Sequence, residues 1–130
     1  MPLFYDNSGP ANYSEVTMTL TSLRDWTIEG VDVLSLWFYG DPNNAAESMY
    51  VALNGSALSY YDNPEALLIE KWMEWTVNAK EFADQGVDLT NAHSISIGFG
   101  DKNNPKLGGS GLVFFDDIRL YRQDSQEQTP

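Results

Sequence analysis

The chain has 130 residues, which predicts a single domain built around one hydrophobic core. Its 19 acidic residues against 7 Lys and Arg give a formal net charge of −12 at pH 7, a field that repels phosphate backbones and anionic headgroups. Nucleic acid and membrane surfaces are therefore excluded as partners, and the absence of cysteine excludes a disulfide framework and a thiolate metal site.

Alternating apolar and polar residues predict short β-strands along the whole chain. In "YSEVTMTLT", for example, Val16, Met18 and Leu20 alternate with polar residues, as a strand with one buried face requires. Helix is expected only as short pieces at "SLRDW", "NPEALL" and "NAKEFADQ". We predict eight strands, at 2–6, 13–21, 31–39, 48–54, 57–61, 71–78, 93–99 and 111–121.

Evenly spaced strands with so little helix favour an all-β fold, an antiparallel β-sandwich or jelly roll. We expect it to occupy residues 1–122, because "RQDSQEQTP" is polar and lacks periodicity, so 123–130 is predicted to be a tail or linker. The N-terminus lacks the features of a secretory signal, so an export signal is expected to lie elsewhere in a longer protein.

Few residues are suited to catalysis. His93 is the one histidine, which excludes sites built on two imidazoles, and no nucleophile or phosphate-loop motif is present. Paired carboxylates suffice for glycoside hydrolysis, and Glu74 is placed near Trp72, so a small glycan-active enzyme stays open as a minority hypothesis.

Aromatic residues on the outward parity of the strands are the more specific signal. Sugar rings stack their apolar faces on flat aromatic side chains, while carboxylates and amides bind the hydroxyl groups. The alternative is that a second layer covers these rings and makes them part of the core. We predict a glycan-binding surface formed by Trp37, Tyr39, Tyr50, Asn54, Trp72 and Glu74.

The segment "GDPNN" at 40–44 has a counterpart in "GDKNN" at 100–104, each after a predicted strand. If both leave the same end of the sandwich, Asp41 and Asp101 join an oxygen-rich rim that could bind sugar hydroxyls or a hard cation. Asp and Asn also build turns through hydrogen bonds to the backbone, and Gly40 and Gly100 permit positive φ. Turn construction is the favoured interpretation.

Several segments together resemble jelly-roll modules, similar to carbohydrate-binding modules with a galactose-binding-like fold, of large secreted bacterial proteins. The resemblance implies a non-catalytic module that binds polysaccharide or serves as an accessory domain, often with a structural calcium ion. It also implies a secreted or cell-surface location. The segments are "LSLWFYGDPNN", "MYVALNG", "WMEWTV", "GVDLTNAHSISIGFGDKNNP", "GGSG" and "VFFDDIRLYR".

In that fold class the last strand commonly ends in a calcium-ligating Asp, and Asp116 and Asp117 occupy the matching place. Asp116 shares parity with Ile118 and Leu120, so it is expected to point inward unless a bulge intervenes. A buried carboxylate needs a cation or donors, which calcium or backbone amides would supply. The predicted metal residues are Asp41, Asp101, Asp116 and Asp117.

Members of the resembled group usually have a further N-terminal segment, which this chain is expected to lack. An open sheet edge would then invite pairing with a second copy, so a homodimer is possible. Two hypotheses lead: a polysaccharide-binding module, and a structural or adhesive spacer of a bacterial surface protein that binds no ligand.

Overall fold

The structure is a computed structural model that describes residues 2–7, 14–19, 25–26, 33–100 and 109–121. The strands are β1 (Pro2–Asp6), β2 (Ser14–Thr19), β3 (Val33–Tyr39), β4 (Met49–Leu53), β5 (Ala57–Tyr60), β6 (Trp72–Asn78), β7 (Ser94–Phe99) and β8 (Ser110–Tyr121). They form two four-stranded antiparallel sheets, with strand orders β1-β8-β3-β6 and β2-β7-β4-β5. The predicted all-β sandwich of about eight strands is confirmed.

Helix is as scarce as predicted in the part of the chain that the structure describes. The "NPEALL" segment forms a 3₁₀ helix, Pro64–Leu68, and "NAKEFADQ" contains the short helix α1, Lys80–Ala83. A second 3₁₀ helix spans Leu89–Asn91. Most of "SLRDW" and the predicted tail at 123–130 lie outside the described residues. No helix among the described residues is long and apolar enough to cross a membrane.

The core lies between the two sheets and is built from alternate residues of the strands, as the period of two predicts. Leu36 and Phe38 of β3 are fully buried, as is Phe115 of β8. Phe38 packs against Trp75 and against Phe115, with ring centroids 6.4 Å apart in both pairs. Such ring pairs contribute about 0.5–1.5 kcal/mol each beyond the area they bury, so they help to hold the first sheet to the core.

Tyr5 joins the first strand to the loop that follows β3. Its ring stacks on Phe99 with centroids 4.5 Å apart, and its hydroxyl donates to the Ala45 carbonyl at 2.5 Å. Burial, together with the nearby Glu47 carboxylate, raises the pKa of Tyr5 to about 12. The hydroxyl therefore stays protonated and keeps its role as a donor across the physiological range.

The first Gly-Asp-x-Asn-Asn segment builds a turn and binds it to the rest of the fold. The Asn43 N–H donates to Asp41 Oδ1 at 2.8 Å, which closes a turn through the side chain. Buried Asn44 donates from Nδ2 to the carbonyls of Leu67 and Leu112 at 2.7 and 2.9 Å. Its Oδ1 accepts from the Leu112 N–H at 2.8 Å. The first segment, residues 40–44, therefore builds a turn, which agrees with the interpretation favoured from the sequence.

The two glycines that open the doubled segments have different roles. Gly100 uses the freedom of glycine and has a φ of +107°. Gly40 has no positive φ; a Cβ there would lie 2.2 Å from the Leu67 carbonyl oxygen, so glycine permits close backbone approach instead. Both segments begin at the same end of the sandwich, because the Gly100 N–H donates to the Ser48 carbonyl. Asp101 and the rest of the second copy lie outside the described residues.

A β-bulge in β8 reverses the expected direction of Asp116. Trp37 of β3 faces Asp116 across the strands. Two residues earlier in β3, Ser35 faces Arg119, which is three residues further along β8. The extra residue is accommodated at Asp117, whose φ is +58°. Asp116 is therefore exposed on the outer face; a bulge was the stated exception to the expected inward direction, and it is present.

Four described strands are sheet edges: β1 and β6 in the first sheet, and β2 and β5 in the second. Edge strands present backbone groups that can pair with another chain. The homodimer predicted from an open edge stays a prediction.

Candidate functional site

The outer face of the first sheet holds most of the predicted aromatic residues. Trp72 of β6, Tyr39 of β3 and Phe114 of β8 occupy paired positions on adjacent strands. Trp72 and Phe114 are 47% and 40% exposed, and the Tyr39 ring lies 5.3 Å from the Trp72 ring. Because adjacent strands lie about 4.8 Å apart, this row extends roughly 10 Å across the sheet. We call Trp37, Tyr39, Trp72 and Phe114 the aromatic face.

A second row lies beside the first, on the same surface. Glu74 of β6 and Asp116 of β8 each pair with Trp37 of β3, so a half-buried indole lies between two exposed carboxylates. Trp37, Trp72, Asp116 and Asp117 line an open depression with a volume of ≈ 230 Å³. The depression combines flat apolar rings with hydrogen-bond acceptors.

Neighbouring side chains fix the polar groups of this surface. Ser35, which is buried beneath it, donates from Oγ to Glu74 Oε2 at 2.8 Å. Arg119 forms an ion pair with the Asp117 carboxylate and also donates to it from Nε. The hydrogen bond with Asp117 and the attraction between the two charges raise the pKa of Arg119 above its ordinary value. Glu74 and Asp116 therefore set the negative charge of the surface.

Tyr50 does not join this surface, although its parity was predicted correctly. It lies on the outer side of the second sheet, where its ring is fully buried. The ring packs over Gly98, where a Cβ would lie 2.2 Å from Tyr50 Cζ, and its hydroxyl donates to Glu15 Oε2 at 2.7 Å. A ligand cannot stack on Tyr50 in this structure.

Asn54 also lies away from the aromatic face and has a local role. It occupies the β4–β5 hairpin with a φ of +56°. Its Oδ1 accepts from the N–H groups of His93 and Ser94, and its Nδ2 donates to the Asn91 carbonyl. Asn54 thus anchors the segment that precedes β7.

The predicted metal residues do not converge where the structure describes them. Asp41 Oδ1 already accepts from the Asn43 N–H, and Asp116 lies on the open sheet surface. Asp117 is paired with Arg119, and Asp101 is outside the described ranges. No group of three or more His, Cys, Asp or Glu residues suited to a metal ion is found in the described part of the chain. Among the described residues, Asp41, Asp116 and Asp117 do not come together in one site.

Sequence reasoning missed Phe114. The segment 111–121 was predicted to be a strand, with Asp116, Ile118 and Leu120 expected on its inner face, which would also place Phe114 inward. In the structure Val113 and Phe115 are fully buried, and this alternation places Phe114 outward between them. The stretch "LVFF" is apolar throughout, so it has no alternation that would mark Phe114 as the outward ring.

Comparison with solved structures gives carbohydrate-binding modules. The chain is similar to the family 11 module of the cellulosomal cellulase Lic26A-Cel5E of Clostridium thermocellum, with 13% identity, a TM-score of 0.54, and coverage of 93% of this chain and 87% of that one. The family 11 module from the same organism, in complex with a β-1,3-1,4-mixed-linked tetrasaccharide, has 13% identity and a TM-score of 0.53, covering 93% and 88%.

A third similar structure is CBM28, a carbohydrate-binding module specific for non-crystalline cellulose. It has 21% identity and a TM-score of 0.58, with coverage of 94% of this chain and 74% of that one. No protein-family model and no curated protein matches the chain. At such identities the likeness concerns the fold. The chain therefore has the jelly-roll fold of carbohydrate-binding modules, and the resemblance predicted from sequence is confirmed at that level.

Proposed function

We propose that the chain is a non-catalytic carbohydrate-binding module that binds polysaccharide on the aromatic face. The observation that supports this most directly is the second row, in which the Trp37 indole lies between Glu74 and Asp116. The apolar face of a pyranose ring stacks on the indole, and the two carboxylates accept hydrogen bonds from its hydroxyl groups. One similar module is in complex with a β-1,3-1,4-mixed-linked tetrasaccharide, and another is specific for non-crystalline cellulose.

The exposed fraction of the rings is consistent with a ligand surface. Trp72 and Phe114 are both partly exposed to solvent and belong to one row of aromatic rings. Contiguous apolar patches on the surface of a monomeric domain often mark a binding site. A saccharide would cover the row without strand rearrangement, because the rings are held by the sheet. Single-site affinities of such surfaces are expected in the micromolar to millimolar range, about −4 to −8 kcal/mol.

A panel of soluble and insoluble polysaccharides tests the proposal. We expect the chain to bind at least one of two glucans, mixed-linked β-1,3-1,4-glucan or non-crystalline cellulose, in affinity gels and pull-down assays. Polyuronates are expected to bind more weakly, because the chain has a formal net charge of −12. If the chain binds none of the polysaccharides in the panel, the result would support the hypothesis of a structural or adhesive spacer instead. Release of reducing or unsaturated ends would show a glycan-active enzyme.

A structural calcium ion remains a separate proposal. An ion that binds the folded chain and not the unfolded one raises the melting temperature, by an amount that grows with its concentration. Calcium is therefore expected to raise the melting temperature measured in differential scanning fluorimetry, and a chelator to lower it, while magnesium serves as the control. Equal melting temperatures with calcium and with chelator would contradict the proposal of a structural calcium ion. Glycan binding on the aromatic face needs no metal.

We also propose that the module acts outside the cell. The support is indirect: insoluble glucans are extracellular materials, and one similar structure comes from a cellulosomal cellulase. A bacterial origin is part of this proposal.

A further inference from the structure

A second concavity lies next to the aromatic face, on the side of the sandwich where β5 and β6 are the edge strands. Its volume is ≈ 290 Å³. Thr76 and Glu74 of β6 form one wall, and Ser59 and Tyr60 of β5 form the opposite wall, with Glu81 of α1 beside them. We call this concavity the lateral cleft.

The lateral cleft is preorganised and offers the chemistry that a sugar requires. Its floor includes Trp75, which is 4% exposed and packs edge to face against Tyr61 at 5.5 Å. Ser59 Oγ donates to Glu81 Oε1 at 3.1 Å, which fixes that carboxylate. Tyr60 is 39% exposed, so part of its ring faces solvent at the wall. Ring, hydroxyl and carboxylate groups are thus held in place around a space of suitable size.

Glu74 connects the cleft with the aromatic face. It lines the cleft, and on the sheet surface it is paired with Trp37 and held by Ser35. The row Asp116, Trp37, Glu74 crosses β8, β3 and β6 at right angles to the strands. β6 is the last strand of its sheet, so the next position along this line is the lateral cleft. One linear ligand can therefore contact both.

We propose that the lateral cleft is an extension subsite, so that the module binds an internal stretch of a long, uncharged, unbranched glycan. This inference rests on the proposed function of the aromatic face. A chain lying along the second row passes Glu74 and places its next residues between Thr76 and Tyr60. The carboxylates Glu74 and Glu81 accept hydrogen bonds from hydroxyl groups there and repel uronate chains, which assigns the neutral class of polysaccharide.

The test compares short and long ligands on variants of the cleft. The probes are the tetrasaccharide of mixed-linked β-1,3-1,4-glucan and longer oligosaccharides of the same glucan, titrated by calorimetry. For the unaltered chain we expect the association constant of the long ligands to exceed that of the tetrasaccharide about tenfold, since an added subsite with one ring and several hydrogen bonds contributes on that order. Thr76→Arg fills the cleft mouth from an exposed position. It should reduce the ratio of the two association constants, long ligand over tetrasaccharide, to near one.

Two further variants make the result specific. Tyr60→Ala removes a wall instead of filling the space, and it should lower the same ratio. Thr19→Arg places an identical change at an exposed threonine on β2, at the far edge of the other sheet, and should keep the ratio of the unaltered chain. Melting temperatures of all variants confirm that they fold.

The outcomes separate this inference from the proposed function. If the ratio is near one in the unaltered chain, or if neither cleft variant lowers it, the site ends at the aromatic face and the inference is wrong, while the proposed function stands. If Thr76→Arg weakens the tetrasaccharide as much as the long ligands, the cleft is not an extension. If the unaltered chain binds none of the glycans, the proposed function fails and the inference with it.

Discussion

Replacing Trp37 with alanine is expected to abolish measurable glycan binding and to leave the sandwich folded. The indole is the centre of the second row and forms part of the depression, so its loss removes the stacking platform between Glu74 and Asp116. Truncating a central aromatic anchor typically costs about 2–4 kcal/mol of binding free energy. Against an expected total of about 4–8 kcal/mol, this moves the dissociation constant beyond the range that calorimetry detects.

The fold should tolerate this change because Trp37 is only half-buried on an outer sheet surface, whereas the core residue beside it in β3, Phe38, is fully buried. Far-ultraviolet circular dichroism and a thermal melt check that the variant is folded. Trp72→Ala should weaken binding by about tenfold, since its ring is at the end of the first row and remains partly in solvent.

Phe4→Ala is the matched control for the tryptophan variants. Phe4 is 77% exposed on β1 of the same sheet, and it pairs with Leu112, two residues before Phe114, so it lies outside both rows of the aromatic face. We expect its loss to change glycan affinity less than twofold, on the scale of neutral positions around a binding site. Unchanged binding in Trp37→Ala, or equal losses in Phe4→Ala and Trp37→Ala, would contradict a specific site centred on the indole.

Period-two patterning was sufficient for the strands and for much of the aromatic face. Trp37 and Tyr39 have the same parity in β3, and Trp72 and Glu74 have the same parity in β6. Because β3 and β6 turn out to be neighbours, both pairs lie on one surface. Parity within a strand is a local property of the backbone, and this is why it can be predicted from sequence.

The surroundings of Tyr50 and Asp116, which the sequence did not settle, depend on relations through space. The parity of Tyr50 says which side of the sheet its ring is on, but its burial depends on Gly98, a residue of another strand that leaves room for the ring. The direction of Asp116 depends on a bulge at Asp117, where a residue that is not glycine takes a positive φ. Neither the strand neighbour nor the bulge has a sequence signal strong enough to predict without coordinates.

The fold and the specificity of the module have separate sources. Structures with 13% to 21% identity have the same jelly roll, so the architecture is compatible with very different surface residues. Under the proposed function, ligand choice would come from the side chains of the aromatic face and the lateral cleft, where carboxylates surround the rings. A neutral polysaccharide donates to such acceptors with its hydroxyl groups without charge repulsion, whereas the carboxylates repel a polyanion.

Replacing Asn44 with alanine is expected to produce the largest loss of stability, a decrease of about 3–5 kcal/mol in the free energy of unfolding. The side chain makes three hydrogen bonds in a buried position, two to Leu112 and one to the Leu67 carbonyl. Alanine removes these bonds and leaves the Leu67 and Leu112 carbonyls and the Leu112 N–H without this partner. Urea denaturation followed by tryptophan fluorescence measures the difference.

Two further variants separate the buried hydrogen bonds from the general effect of changing this loop. Asn43→Ala is the control, because Asn43 is exposed and its contribution to the turn is a backbone N–H bond to Asp41 that alanine retains, so a change within about 0.5 kcal/mol is expected. Asn44→Asp keeps the acceptor but places a carboxylate against two carbonyl oxygens, which raises the pKa of the new group in the folded state.

The sign of that pKa shift gives Asn44→Asp a characteristic pH dependence. Since the folded-state pKa would lie above the unfolded value of about 3.9, the variant should be most stable below that pH and lose stability as the pH rises through the folded-state pKa. The unaltered chain lacks this group and should not show this component. If Asn44→Ala is within about 1 kcal/mol of the unaltered chain, the turn is held by its backbone bonds alone and Asn44 does not join β8 to the loop after β3.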